Sequence, residues 1–255
     1  MVLTSADGTT WHRARGDIEQ DLGGVSAVAA AANPAGYSVA GRPAGASVAD
    51  VWWSPDLKSW VRAQDMNVTT GSTQVLAVAA DPHGFVSVGS HDHQPAVWTT
   101  TDGKLWTTIV LARPAGASSA VLQQVAISGD HVAALGQEIT PGGAVPFAEQ
   151  SADGGASWRQ VPFPAPGPDP VITALTADSG GFTAAGQHGA PGQQAVVMWI
   201  SASGMTWTPA QVSGMGSGSQ QVTALASSGP AVAGIGSTAT ARGRQFLLLT
   251  LSDIT

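Results

Sequence analysis

One short phrase recurs along the chain at a near-constant interval: Ser5-Ala6-Asp7-Gly8-Thr9-Thr10-Trp11, Ser54-Pro55-Asp56-Leu57-Lys58-Ser59-Trp60, Thr100-Thr101-Asp102-Gly103-Lys104-Leu105-Trp106, Ser151-Ala152-Asp153-Gly154-Gly155-Ala156-Ser157-Trp158 and Ser201-Ala202-Ser203-Gly204-Met205-Thr206-Trp207. A truncated sixth copy, Leu251-Ser252-Asp253, lies near the C-terminus. The closing tryptophans at 11, 60, 106, 158 and 207 are 49, 46, 52 and 49 residues apart. That period fits the blades of a β-propeller rather than the helical pairs of a solenoid.

Each phrase has a local physical reason. A hydroxyl and a carboxylate two residues later can accept hydrogen bonds from the free amides of a tight turn, and glycine supplies the positive φ. The tryptophan then anchors the returning strand by burying a large apolar area. In these residues the chain resembles the Asp-box, or BNR, repeat of sialidases, sortilin-type receptors and many bacterial propellers. Two copies are degenerate, with Leu57 in place of the turn glycine and Ser203 in place of the aspartate. The resemblance implies an all-β propeller and says little of chemistry, because in such families the box is a structural hairpin away from the active site.

Superposing the repeats gives four short strands per unit, separated by Gly, Pro and Asp punctuation. First strands read Val25 to Val28, Val75 to Val78, Leu122 to Val125, Val171 to Leu175 and Val222 to Leu225. Second strands end in Gly41, Gly89, Gly136, Gly186 and Gly236, where the backbone bends or is closely approached. The third strand runs into the box and the fourth follows the tryptophan. There are five first, second and fourth strands but six third strands, since Val2-Leu3-Thr4 and Phe246 to Leu249 are both copies of the third. These counts predict one domain spanning 1–255, with five blades of four antiparallel strands. Its ring is closed by pairing of the N- and C-terminal strands, with Thr10 to Ala14 adding to Phe246 to Leu251, which removes exposed sheet edges. The five box tryptophans are expected to be largely buried.

With 255 residues the chain can bury a core that needs neither disulfide nor metal, and it has no cysteine. Only 11% of residues are charged, and a net charge of −7 without basic runs argues against nucleic acid or an anionic membrane as partner. No stretch is long and apolar enough to span a membrane, and no signal peptide follows Met1, so the expected location is cytoplasmic, or extracellular if a leader has been removed.

Asp7, Asp56, Asp102, Asp153 and Asp253 belong to boxes, and Asp81, Asp130 and Asp178 to the turns between first and second strands. Asp17, Glu19, Asp21, Asp50, Asp65, Asp92, Glu138, Glu149 and Asp169 remain as candidates for function. Sialidases use a tyrosine nucleophile, whereas the single tyrosine, Tyr37, falls in a core strand, which disfavours that activity. Asp17-Ile18-Glu19-Gln20-Asp21 resembles the opening of a calcium loop, but its glycine comes late and Val28 stands where a bidentate Glu belongs, so it reads as a solvated loop. Glu149 occupies the register held elsewhere by Leu3, Trp52, Trp98, Trp199 and Leu249, and it reads as an exposed edge of one blade. Buried, it would have a raised pKa, as catalytic acids do.

Two residues beyond each second-strand glycine stand Pro43, His91, Glu138, His188 and Thr238. That position marks the mouth of a propeller channel, where ligands bind. His91, His93, Glu138 and His188, with Arg42, Arg242 and Arg244 on the same loops, are therefore the candidate ligand-binding residues. Second strands lie on the order of 10 Å from the axis, which favours hydrogen bonding to a small polar ligand over a metal centre, so no metal or cofactor is expected. The leading expectation is a non-catalytic binding or scaffold propeller that presents loops to a glycan, peptide or protein. The alternative is a carbohydrate-active hydrolase using a carboxylate pair.

Overall fold

The computed structural model describes residues 3–5, 7–13, 22, 24–44, 46, 49–64, 66, 71–165, 167, 170–190, 192–210, 218–229, 231–240 and 243–251. All regular structure among them is β, and no helix long and apolar enough to cross a membrane occurs there. The chain divides into two compact units, Met1–Asp92 with Ala96–Val110, and His93–Pro95 with Leu111–Thr255.

The first unit holds a two-stranded hairpin, β1 (Leu3–Thr4) with β2 (His12–Arg13), and two four-stranded antiparallel sheets. Sheet I is β3 (Val25–Asn33), β4 (Gly36–Pro43), β5 (Asp50–Ser54) and β6 (Val61–Arg62). Sheet II is β7 (Thr73–Asp81), β8 (Gly84–His91), β9 (Gln94–Thr100) and β10 (Thr107–Val110). Ala40, Val51 and Trp53 of sheet I pack against Val75, Phe85, Trp98 and Trp106 of sheet II.

In the second unit, sheet III is β11 (Ser119–Ser128), β12 (His131–Thr140), β13 (Gly143–Ser151) and β14 (Arg159–Val161). Sheet IV is β15 (Val171–Asp178), β16 (Gly181–His188), β17 (Ala195–Ser201) and β18 (Thr208–Ala210), and sheet V is β19 (Ser219–Ser228), β20 (Ala231–Thr240) and β21 (Gly243–Leu251). The seam between sheets III and IV buries Leu135 and Ala148 against Phe182, Trp199 and Trp207. Phe163 wedges in at 5.0 Å from the Trp199 ring and 5.4 Å from that of Trp207. The next seam buries Ala185 and Met198 against Val222 and Leu249. Ser128 and Ser227 donate their hydroxyls across the two seams, to the carbonyls of Asp178 and Ala177, each at 2.6 Å.

The predicted box turns form as hydrogen-bonded units. Asp102 Oδ1 accepts from the amides of Lys104 at 2.8 Å and Leu105 at 2.9 Å, Thr100 Oγ1 accepts from Gly103 N, and Trp106 Nε1 donates to the Gly103 carbonyl. Asp7, Asp56 and Asp153 accept in the same way, and these donors hold all four carboxylates below the usual range. Leu57 keeps the left-handed conformation, φ 63°, that glycine takes in the other copies, as at Gly103 with φ 74°. Ser203 gives no carboxylate, yet Ser201 Oγ and Trp207 Nε1 still close their turn on Gly204.

One expectation is corrected. Trp60, Trp106 and Trp207 are buried, but Trp158 is only half-buried and Trp11 is 58% exposed, in a hairpin whose described part has two strands only. Among the described residues, β2 pairs with β1 in the register Leu3↔Arg13 and Thr4↔His12, while β21 pairs with β20. The expected pairing of Thr10 to Ala14 with Phe246 to Leu251 is not among these strand pairs, and Ala14 lies outside the described residues. Sheet V has three strands there; Asp253 is likewise outside. Trp106→Ala should therefore cost about 3–5 kcal/mol of unfolding free energy as a core cavity, and Trp11→Ala far less. Urea denaturation of the two variants measures the contrast.

Candidate functional site

Every sheet carries the same backbone device. The first strand bulges between Ala27 and Ala29, Val75 and Ala77, Leu122 and Gln124, Ile172 and Ala174, and Val222 and Ala224. Opposite each bulge sits the second-strand glycine, where a Cβ would fall 1.8 Å from the Gln74 carbonyl oxygen at Gly89 and 2.0 Å from that of Val121 at Gly136. Two residues on stand Pro43, His91 and His188, the last residues of β4, β8 and β16, and Glu138 and Thr238, two residues short of the ends of β12 and β20, in matching registers such as Thr73↔His91, Ala120↔Glu138 and Gln220↔Thr238.

In the second unit Glu138, His188 and Thr238 therefore share one end of consecutive sheets. Side-chain alternation places His188 on the side of sheet IV that faces sheet III, with Ala184, and Gln187 on the side that faces sheet V, with Ala185. Glu138 projects from the side of sheet III that also carries Glu149, through the pair Ala134↔Glu149. Glu138 thus lies on the side of sheet III turned from sheet IV, while His188 faces sheet III and Gln187 faces sheet V, so the three do not converge on one point. Glu138 Oε2 and Gln187 Oε1 are buried without a hydrogen-bond partner, and burial pushes the Glu138 carboxyl above its usual range. His188 is half-buried beside Gly167, where a Cβ would fall 2.3 Å from Nδ1. Arg244 is exposed on β21, and Arg242 lies outside the described residues.

In the first unit His91 is held by Thr73, with Oγ1 3.1 Å from Nδ1, and its Nε2 is 3.6 Å from Asp92 Oδ2. Asp92 and His93 have φ 46° and 65°, the left-handed pair of a two-residue hairpin between β8 and β9. His93 is an exposed turn residue whose carbonyl accepts from Ala120 N at 2.9 Å. Arg42 is exposed. Among the described residues no three His, Asp or Glu side chains are grouped so as to hold a metal ion.

The remaining acidic candidates separate. Asp17, Glu19, Asp21, Asp65 and Asp169 lie outside the described residues. Asp50 is buried and ion-paired with Arg62, and burial pushes its pKa up despite that partner. Glu149 is not an exposed edge: it is 4% exposed, and loss of solvent pushes its pKa from 4.5 to about 7. Its register belongs to the buried positions of Trp98 and Trp199, and the repeat alignment that marked it as anomalous was the available signal.

A cavity of about 690 Å³ escaped sequence reasoning. It opens at the box end of sheet IV, the opposite end of β16 from His188, and is lined by Asp178, Thr183, Ile200, Ser203 and Thr206, with Val232 of sheet V. Its residues read singly as turn formers, so nothing in the repeat pattern announced a concavity.

No protein-family model matches the chain, and no curated protein matches it in sequence. Solved structures do resemble it. Aleuria aurantia lectin, a fungal lectin with a six-bladed β-propeller fold, aligns with 90% of this chain and 79% of its own at a TM-score of 0.56 and 12% identity. A variant of that lectin with alpha-methyl-L-fucoside aligns over the same shares at 0.53 and 13%. A thermostable family-43 glycoside hydrolase aligns over 90% of both chains at 0.49 and 11%. The chain spans 50% of a GH74 xyloglucanase from Xanthomonas campestris, using 95% of its own length, at 0.45 and 14%. The lectin likeness, with the repeated four-stranded sheets, defines a β-propeller-like fold.

The Glu149 shift has a pH signature. Between pH 4.5 and about 7 the folded chain keeps a proton that the unfolded chain releases, so stability falls as pH rises through that window. The contribution is on the order of 3 kcal/mol. Glu149→Gln should flatten this part of the profile, and thermal melts of both proteins across the window read it.

Proposed function

We propose that this chain is a non-catalytic binding propeller of the Asp-box type, whose five sheets are blades of one domain and whose ligand is held at the second-strand ends. The ring is complete once a fourth strand adds to β21, and Thr10 to Ala14 is the strand the sequence offers. The reading rests on the unpartnered, buried oxygens of Glu138 and Gln187 at the same end of β12 and β16. Both are acceptors, and buried acceptors are ordinarily matched by donors. Because Glu138 and Gln187 lie on different sides of their sheets, each is matched by a separate donor group of a ligand rich in hydroxyls or amides, and His188, Thr238, His91, His93, Arg42, Arg242 and Arg244 are the other polar residues proposed to contribute. A glycan is the first class to test, since the lectin of like fold is described by its fucose recognition; peptide and protein ligands share the donor chemistry.

Hydrolysis of a carbohydrate is the second reading, and the raised carboxyl of Glu149 is what favours it. Its nearest raised neighbour on the adjacent strand is Glu138, four residues from Ala134, the cross-strand partner of Glu149. Four strand residues span about 13 Å. Hydrolytic carboxyl pairs stand roughly 5 to 9.5 Å apart, which weighs towards binding.

A glycan array followed by calorimetry on the best ligand tests the site. Glu138→Leu should weaken binding by about tenfold, the worth of one hydrogen bond to a charged group. Thr206→Trp, which fills the cavity at the other end of sheet IV, should leave binding unchanged. The opposite pattern would move the ligand to the cavity, and release of reducing sugar would favour the hydrolase.

A further inference from the structure

In box turns that carry an aspartate, three donors meet on one carboxylate oxygen. Asp102 Oδ1 accepts from Lys104 N at 2.8 Å, Leu105 N at 2.9 Å and Thr100 Oγ1 at 3.0 Å. Asp7 Oδ1 accepts from Thr9 N at 2.9 Å, Thr10 N at 2.7 Å and Ser5 Oγ at 3.0 Å. The sheet IV copy keeps the skeleton of this turn without its acceptor. Gly204 has φ 77° against 74° at Gly103, its amide donates to Ser201 Oγ at 2.8 Å, and Trp207 Nε1 reaches its carbonyl at 3.0 Å, as Trp106 reaches that of Gly103 at 3.0 Å. The turn is also seated on sheet III, where a Cβ on Gly204 would fall 3.2 Å from Gln150 Cγ and 3.3 Å from Ala133 Cβ. Ser203 stands at the aspartate position, and its oxygen is one bond nearer the backbone than a carboxylate oxygen. Among the described residues nothing accepts from the amides of Met205 and Thr206 or from the Ser201 hydroxyl. Donors so arranged favour an anion: comparable ones push the Asp153 carboxyl down from 3.8 to about 2.

These donors border a concavity large enough for a small molecule. Ser201, Ser203 and Thr206 line the cavity of about 690 Å³, a volume within the range of ligand sites. Arg159 of sheet III sets a positive charge beside the turn, since its Nε donates to Gln150 Oε1 at 3.0 Å and its Nη2 lies 3.0 Å from Met205 Sδ. Asp178 is the acidic residue of the lining. Its Oδ1 accepts from Gly180 N at 2.6 Å, which leaves Oδ2 to accept from a hydroxyl. Thr183, Thr206 and Thr208 add hydroxyls to the same wall.

We propose that the sheet IV turn and its cavity bind a small polyhydroxy monocarboxylate, whose carboxylate takes the place of the box aspartate on Ser201 Oγ, Met205 N and Thr206 N while its hydroxyls meet Asp178 and the threonines. The site is at the end of sheet IV opposite the strand ends assigned above. It calls for an acceptor where Glu138 and Gln187 call for donors, so the two sites take ligands of different character.

Amide NMR of the isotope-labelled full chain tests this, with gluconate as probe, acetate as the bare carboxylate and sorbitol as the neutral polyol. Gluconate in the millimolar range should move the Met205 and Thr206 amide protons downfield. Acetate should move the same amides with weaker affinity, and sorbitol should move neither. Ser203→Asp rebuilds the box: its carboxylate should weaken gluconate binding by more than about tenfold, the worth of a hydrogen bond to a charged group. The same change should raise the melting temperature by about 2–4 °C. Arg159→Gln should weaken gluconate binding by about two- to fivefold and flatten its salt dependence. Should Ser203→Asp fail to fold, the wild-type amide shifts decide alone. The proposal is overturned if gluconate leaves both amides unmoved, if sorbitol acts as gluconate does, or if folded Ser203→Asp binds gluconate as the wild type does. A gluconate affinity no higher than that of acetate overturns the part given to the hydroxyls.

Discussion

The contact on which the whole architecture depends is between two stretches of backbone, the bulged first strand and the glycine opposite it in the second. It recurs in all five sheets, and at each glycine a Cβ would press on the facing carbonyl oxygen, at distances from 1.8 Å at Gly89 to 2.7 Å at Gly41. Only glycine permits that approach. The extra residue of the bulge raises the local twist, and twist is what turns a flat four-stranded sheet into a blade able to lie against the next. The same contact fixes the register of the residues that follow it in the second strand. Glu138 and His188 stand two residues past Gly136 and Gly186, so their registers follow from a packing constraint several ångströms away.

At the opposite end of the sheets the box turn divides its work among three groups, and that division explains how degenerate copies survive. The carboxylate satisfies two amides, the hydroxyl a third, and the indole N–H the carbonyl that remains. In the copy with Ser203 the hydroxyl and indole bonds persist without a carboxylate. With Leu57 the carboxylate bonds of Asp56 persist although a side chain occupies a left-handed site, and Leu57 recovers part of that strain by packing on Trp52 and Trp60.

Local and periodic features were legible in the sequence. Strand positions, box turns, the special status of the second-strand glycine and the anomaly at Glu149 all follow from comparing one repeat with the next. Features set by residues a full period away were not. Trp11 satisfies the local rules of its turn and still faces solvent, because a tryptophan is buried by the rest of its sheet, and the described part of its own is the two-stranded β1–β2 hairpin. Glu149 reads as an edge residue from its charge, yet its register dictates burial and its pKa rises instead. His91, Asp92 and His93 each stand among the candidates for function, whereas Asp92 and His93 form a left-handed turn and His91 is engaged by Thr73. The strand-end residues were placed at the right register, but the side on which each projects depends on alternation counted from the bulge, and that separates them among seams.

The distribution of polar groups finally limits where binding chemistry can reside. Box carboxylates already accept from the amides of their own turns and are held ionised below the usual range, so they are poor proton donors and have few free lone pairs. Among the described residues the seams are built mainly of apolar side chains, and the buried carboxyl groups are Glu149 and Asp50, the latter paired with Arg62. Strand ends beyond the glycine are under neither demand. Side chains there may vary without disturbing the bulge, the turn or the seam, and across the five sheets they do vary, from Pro43 through His91, Glu138 and His188 to Thr238. At these positions, among the described residues, Glu138 and Gln187 hold buried oxygens that the fold itself does not satisfy, in contrast to the turn carboxylates at the other end of the sheets.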